Sequence, residues 1–176
     1  MTQQDTKSQF RERTMEEIRG LSDLILFTSG GCHIFAKALL EVLAIEKYEV
    51  RCVRRMGQGF NKSVYHVYAY KNGYMVDALG IHAEEDYIAW ATARNEMAMK
   101  AEACEMAFLF KVAKKDGQGR DQNELGLRLD TEYLAHVDTK AKAVILDTPE
   151  RYQLSYLVAG KAMIANTAKY EYERLL

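Results

Sequence analysis

Cysteine is scarce and poorly placed for cross-linking. Three residues in 176 (Cys32, Cys52 and Cys104) are an odd number at wide spacing and make no disulfide framework. No Cys-x-x-Cys or His-x-x-x-His pair occurs, and zinc sites ordinarily show such local pairs. A metal centre would have to gather Cys32, His66, Asp77 and His82 from separate stretches, so the expectation is no metal and no cofactor. A phosphate-cradling loop is missing too, because Gly57-Gln58-Gly59 lacks a third glycine and a strand-turn-helix setting. Charge of one sign is not in excess. A net charge of −1 gives no general reason to expect nucleic acid or an anionic membrane as partner. Arg51, Arg54, Arg55 and Lys62 form a local basic cluster that reads as a solvated strand edge. Long hydrophobic runs are absent as well. The longest, near the C-terminal end, is broken by Lys161 and Asn166, so no membrane span is expected. Met1 to Glu17 is polar and charged, Leu24 to Phe27 is too short for a signal core, and reduced thiols in a cytoplasm follow as the expectation. No internal repeat or low-complexity segment is present.

With 48% hydrophobic and 28% charged residues, the composition is that of a folded globular chain. The reading is one domain over 1–176, with 28–80 carrying the chemistry and 83–176 a mainly helical remainder. Thr6 to Arg19 reads as a peripheral helix, and Leu21 to Phe27 as a further helical turn. Tyr48 to Arg55 and Val64 to Tyr70 are rich in β-formers. Asn72-Gly73 signals a hairpin and Tyr74 to Leu79 its return strand. Gly80 then ends the sheet, and Ala83 to Lys100 reads as a helix. Lys114 to Gly126 is a polar, glycine-containing loop. Leu127 to Ile145 is ambiguous between short strands and short helices. Thr148-Pro149 opens a final helix to about Arg174.

The most informative stretch is Thr28-Ser29-Gly30-Gly31-Cys32-His33, where a loop gives way to helical spacing. Ile34, Ala38, Val42 and Ile45 share a face, and Thr28 or Ser29 can cap the helix. Cys32 then sits in the first helical turn, where free amides and the helix dipole favour a thiolate. Cysteine acyl chemistry also needs an imidazole and a group to fix its tautomer. If Asn72 and Gly73 alone form the turn, facing residues of the hairpin have numbers summing to 145. His66 and Asp77 are then diagonal neighbours on one sheet face, with Cβ atoms roughly 7 Å apart. A one-residue bulge would place them on opposite faces.

The order of a Gly-preceded Cys on a helix, His66 on a strand and Asp77 on the next strand resembles the papain-like cysteine proteases and the transglutaminase-like superfamily. The resemblance is carried by Gly-Gly-Cys32-His-Ile-Phe-Ala, His66-Val-Tyr-Ala-Tyr and Tyr74-Met-Val-Asp77-Ala-Leu-Gly80. It implies an α+β, papain-like or transglutaminase-like fold, with the nucleophile helix packed on an antiparallel sheet and further helices C-terminal to it. It implies that Cys32 attacks an acyl carbon, that His66 acts as base and then acid, and that Asp77 orients the imidazole. The function implied is a thiol-dependent acyl hydrolase or transferase, such as a peptidase, deamidase or transglutaminase-like enzyme. Its partner would be a peptide, protein or small acyl substrate.

One departure is plain: no Gln stands in Ile25 to Ser29 where papain-like proteases place an oxyanion donor. Losing one such donor typically costs ~100-fold or more in rate. Oxyanion stabilisation would fall to the Cys32 amide, with Thr28, Ser29, Gly31 and His33 as further candidates around the site. His33 points about 100° around the helix from Cys32 and reads as structural or supporting. His82, after Gly80, could line the site from a loop. Taken singly, Cys32 is more often a small buried hydrophobe and His66 a core histidine. Asp77 is harder to dismiss, since a buried carboxylate needs a partner. Cys52 and Cys104 read as core. The competing reading, of a different class, is a non-catalytic binding or assembly module, with the C-terminal helix as a homo-oligomer or partner surface.

Overall fold

The structure is a computed structural model and describes residues 13–57 and 64–155. Helix α1 (Met15–Arg19) opens with a reciprocal cap between Thr14 and Glu17. Helix α2 (Asp23–Ser29) is capped by Ser22, and α3 (Cys32–Val42) follows after a bend of 105°. The capping expected of Thr28 and Ser29 is corrected, because both belong to α2. The Thr28 hydroxyl donates to the Leu24 carbonyl at 2.7 Å, and α3 starts at Gly31 with no side-chain cap. The Cys32 and His33 amides, in the first turn, have no partner within the helix.

Gly31 has a steric reason to be glycine. A Cβ there would stand 2.9 Å from the Leu26 carbonyl oxygen and 3.0 Å from Val137 Cγ1. Along α3, Ile34, Phe35, Ala38 and Leu39 are all essentially buried. Ile45 leaves the expected stripe: it lies in the 3-10 turn Ala44–Glu46 and is 84% exposed.

Five strands form an antiparallel sheet in the order β4-β3-β2-β1-β5. They are β1 (Glu49–Arg55), β2 (Val64–Lys71), β3 (Tyr74–Asp77), β4 (Gly80–Ala83) and β5 (Met99–Ala103). The β2–β3 turn is the expected two-residue one. Lys71 faces Tyr74, and Ala69 faces Val76. Asn72 and Gly73 both have positive φ, 53° and 85°, which matches the twist of the flanking strands.

Two expectations fail here. Gly80 does not end the sheet but opens β4, which folds back on β3 with Asp77 opposite Gly80. The helix after it, α4 (Glu84–Asn95), stops at Glu96 in a left-handed conformation. The chain then returns as β5, beside β1, with Arg54 and Glu102 paired at 2.7 Å. Since β1 lies between β2 and β5, its arginines do not mark a sheet edge. Arg51 pairs with Glu84 at 3.1 Å and lies over the Tyr70 ring, and Arg55 lies over Tyr65. Lys62 is outside the described residues.

Helix α5 (Met106–Leu109) follows β5. The polar segment after it carries a short hairpin, β6 (Lys114–Lys115) with β7 (Asp121–Gln122). Leu127 to Ile145 resolves into helix α6 (Thr131–Asp147), whose N-cap Asp130 accepts from the Tyr133 amide at 3.2 Å. Tyr133, Val137, Ala141 and Ile145, four apart, are fully buried against α2 and α3. Fully burying a large apolar side chain contributes roughly 1.5–3 kcal/mol, so this stripe anchors α6 behind the α3 start. After Thr148 the chain makes a 3-10 turn, Pro149–Tyr152. The final helix to Arg174 and the partner surface placed on it lie outside the described residues. The architecture is thus mixed helix and antiparallel sheet. Among the described residues, no single helix is long and apolar enough to cross a membrane.

Candidate active site

The hairpin register brings His66 and Asp77 together as their spacing predicts. His66 Nε2 and Asp77 Oδ2 are 2.8 Å apart, in surroundings where the residues are 5% and 3% exposed. That bond occupies Nε2 and leaves Nδ1 for another group. The second carboxylate oxygen, Oδ1, accepts from the Leu79 amide at 2.8 Å and lies 3.3 Å from His82 Nε2. His82 therefore stands on β4 rather than a loop and supports the carboxylate from behind. Burial opposes ionisation of Asp77, yet hydrogen bonding from His66 and His82 outweighs it and holds the carboxyl far below its usual range. The His66 ring lies 6.0 Å from the Tyr68 ring and 5.6 Å from the Tyr87 ring, which limits its rotation.

Cys32 joins this pair from the start of α3. Burial disfavours its thiolate, but the nearby His33 and His66 imidazoles reverse the balance and bring the thiol well below its ordinary 9.0. Conversely, burial disfavours a charged His66, while hydrogen bonds with Asp77 and Cys32 raise it from 6.5 to about 9. Both shifts favour a thiolate beside an imidazolium held by a carboxylate. The helical step of about 100° does not keep His33 off the thiol. His33 is fully buried and 5.4 Å from the Phe110 ring, and among the described residues neither of its ring nitrogens has a well-aligned hydrogen bond.

Cys32 is 9% exposed and lines a cleft that is partly open to solvent. Thr28, Ser29 and Gly30 line one side and Leu125 to Arg128 another, with Tyr65 and Tyr133 completing the wall. Fully buried Asn123 fixes the 125–128 segment by accepting from the Leu127 amide at 2.9 Å and donating to the Leu109 carbonyl at 2.6 Å. Of the expected oxyanion donors, Thr28 is engaged with Leu24, and the Gly31 amide donates to the Leu26 carbonyl at 2.9 Å. Ser29 stays in the cleft wall.

Tyr133 was not singled out by any motif. Its ring is fully buried, its hydroxyl has no hydrogen-bond partner among the described residues, and it lines the same cleft as Cys32. A buried hydroxyl left without a partner costs roughly 1–3 kcal/mol. The signal that could have found it is the four-residue spacing of Tyr133, Val137 and Ala141 behind Asp130 as a cap.

Cys52 and Cys104 are buried in the core beneath α3, in the same apolar cluster as Cys32. Among the described residues, no group of three or more His, Cys, Asp or Glu is disposed to hold a metal ion. Comparison with protein-family models, curated proteins and solved structures found no match.

Proposed function

We propose that this protein is a thiol-dependent acyl hydrolase or acyl transferase of the papain-like or transglutaminase-like kind, with Cys32 as nucleophile. The observation that carries the reading is the 2.8 Å contact between His66 and Asp77, with Cys32 in a cleft wall beside that imidazole, which lowers the thiol's pKa. In the reaction, the Cys32 thiolate attacks an acyl carbon and the carbonyl π pair moves to oxygen. As that pair returns, the bond to the leaving group breaks, and the His66 imidazolium gives its proton to the departing atom. Cys32 then carries a thioester. The neutral His66 takes a proton from water in hydrolysis, or from an amine in transfer, as that nucleophile adds to the thioester carbon. When the oxyanion pair returns, the C–S bond breaks, releasing the acid or amide and leaving the Cys32 thiolate beside a recharged His66. Asp77 keeps Nε2 engaged and stabilises the imidazolium throughout.

The test is labelling with iodoacetamide at neutral pH, read residue by residue by mass spectrometry. Wild type is expected to label rapidly at Cys32, His66→Ala to slow that labelling, and Cys52→Ala and Cys104→Ala to leave it unchanged. Equal, slow reaction at all three cysteines would end the acyl-transfer reading. A second reading, a non-catalytic binding module, is favoured by the closure of the site: Cys32 is 9% and His66 5% exposed. That reading expects Cys32 to resist the reagent in the folded protein.

A further inference from the structure

We infer that the Tyr133 hydroxyl is the second oxyanion donor of the Cys32 site, acting with the backbone amide of Cys32 on the tetrahedral oxygen of an acyl substrate. The inference rests on the acyl-transfer reading and supplies the donor that the chain lacks where papain-like proteases carry a Gln. Three observations converge on it. Tyr133 and Cys32 line one cleft. The Tyr133 side chain is fully buried and its hydroxyl has no partner among the described residues. Native cores leave few such groups, and each calls for an explanation, of which a catalytic role is one. Two of the other candidate donors are already engaged with α2, as Thr28 donates to Leu24 and the Gly31 amide to Leu26.

Preorganisation is what makes such a donor effective, because nothing then has to reorient as charge develops. Tyr133 meets that requirement. The Asp130 cap receives its amide at 3.2 Å, and the Arg128 guanidinium lies 5.0 Å from its ring centroid. Arg128 is itself fixed by Asp130 and by the Arg13 carbonyl at 3.0 Å. Burial, and then the Cys32 charge, push the Tyr133 phenol far above its ordinary value, so it stays a protonated donor at neutral pH. No proton leaves it during the reaction. The sulfur pair forms the S–C bond, the carbonyl pair becomes the oxyanion, and Tyr133 and the Cys32 amide hold that charge by hydrogen bonds. The pair then returns to carbon as the leaving group departs with the proton from His66.

Two probes separate this role from a structural one. Acetylation by p-nitrophenyl acetate, followed as nitrophenolate release, passes through an oxyanion; alkylation by iodoacetamide does not. In the full chain, Tyr133→Phe is expected to slow Cys32 acetylation by about 100-fold while leaving Cys32 alkylation unchanged. Its thermal midpoint should hold or rise, because the change removes a buried hydroxyl without a partner. Unchanged acetylation in Tyr133→Phe would overturn the assignment while acyl transfer by Cys32 stands. Equal losses in both reactions would also overturn it, marking Tyr133 as a packing residue. Wild type acetylating no faster than Cys32→Ala would overturn the acyl-transfer reading, and the assignment with it.

Discussion

A cysteine becomes a nucleophile through its neighbours, and at Cys32 those neighbours act against burial. The apolar setting alone would keep the thiol protonated, as it does for most core cysteines. Two imidazoles reverse that, and one of them is charged because Asp77 holds it. Asp77 is therefore the residue on which the ionisation of the other two depends. Asp77→Asn keeps an acceptor for the Leu79 amide but removes the negative charge from between His66 and His82. Two consequences are expected. Acyl turnover falls by about 100-fold, the lower range for losing positioned acid–base help. In the pH profile of iodoacetamide alkylation, the His66 transition moves down from about 9 toward 6.5, and the Cys32 transition moves up. Rates measured across pH with the Cys32 adduct quantified would check both shifts; transitions at their wild-type positions would deny Asp77 its role.

At the scale of elements, the site is a meeting between the start of α3 and the end of a hairpin. The hairpin half was legible in the sequence, because Asn72-Gly73 fixes a two-residue turn and so the parity of every side chain beyond it. The α3 half was legible in its start but not in its capping. Thr28 and Ser29 resemble caps in sequence, yet they complete the preceding helix. Other elements were hidden for a common reason. Met99 to Ala103 is Met-Lys-Ala-Glu-Ala, composed of helix formers, and becomes a strand only because β1 offers it an edge. Tyr133 was hidden more deeply, since an unpartnered hydroxyl is a property of packing rather than of pattern. The close contact at Gly31 shows how little slack the meeting has. Gly31→Ala forces a methyl against the Leu26 carbonyl and Val137, both in helices that cannot easily yield. Such overpacking costs about 1–3 kcal/mol. Urea unfolding should show that loss, and Cys32 labelling should slow as the start of α3 is pushed from His66. A variant with wild-type stability and labelling would show that α2 and α6 have room to part.

For the whole molecule, the Cys32–His66 pair has a consequence for stability that neither residue has alone. His66 has its value raised from 6.5 to about 9 by folding, so its contribution is complete below 6.5 and disappears as pH rises through about 9. Cys32 has its value lowered from 9.0, so its contribution is complete above 9.0 and is lost as pH falls through the lower folded value. Between 6.5 and 9 the two slopes are opposite in sign, each about 1.4 kcal/mol per pH unit at most. Proton counting gives the same answer: the unfolded chain carries one proton on the thiol, the folded chain one on the imidazole. The pair therefore adds stability that is nearly flat across this window. Cys32→Ala removes the rising slope and leaves His66 raised by Asp77 alone. Its stability should then fall with pH from 6.5 upward, relative to wild type. The difference between the two urea-unfolding curves isolates the pair, because every other ionisable group is common to both proteins. A difference that stays constant from pH 6.5 to 9 would mean that Cys32 is a neutral thiol when folded. Cys32 would then be uncharged in the fold, and the acyl-transfer reading would lose its starting point.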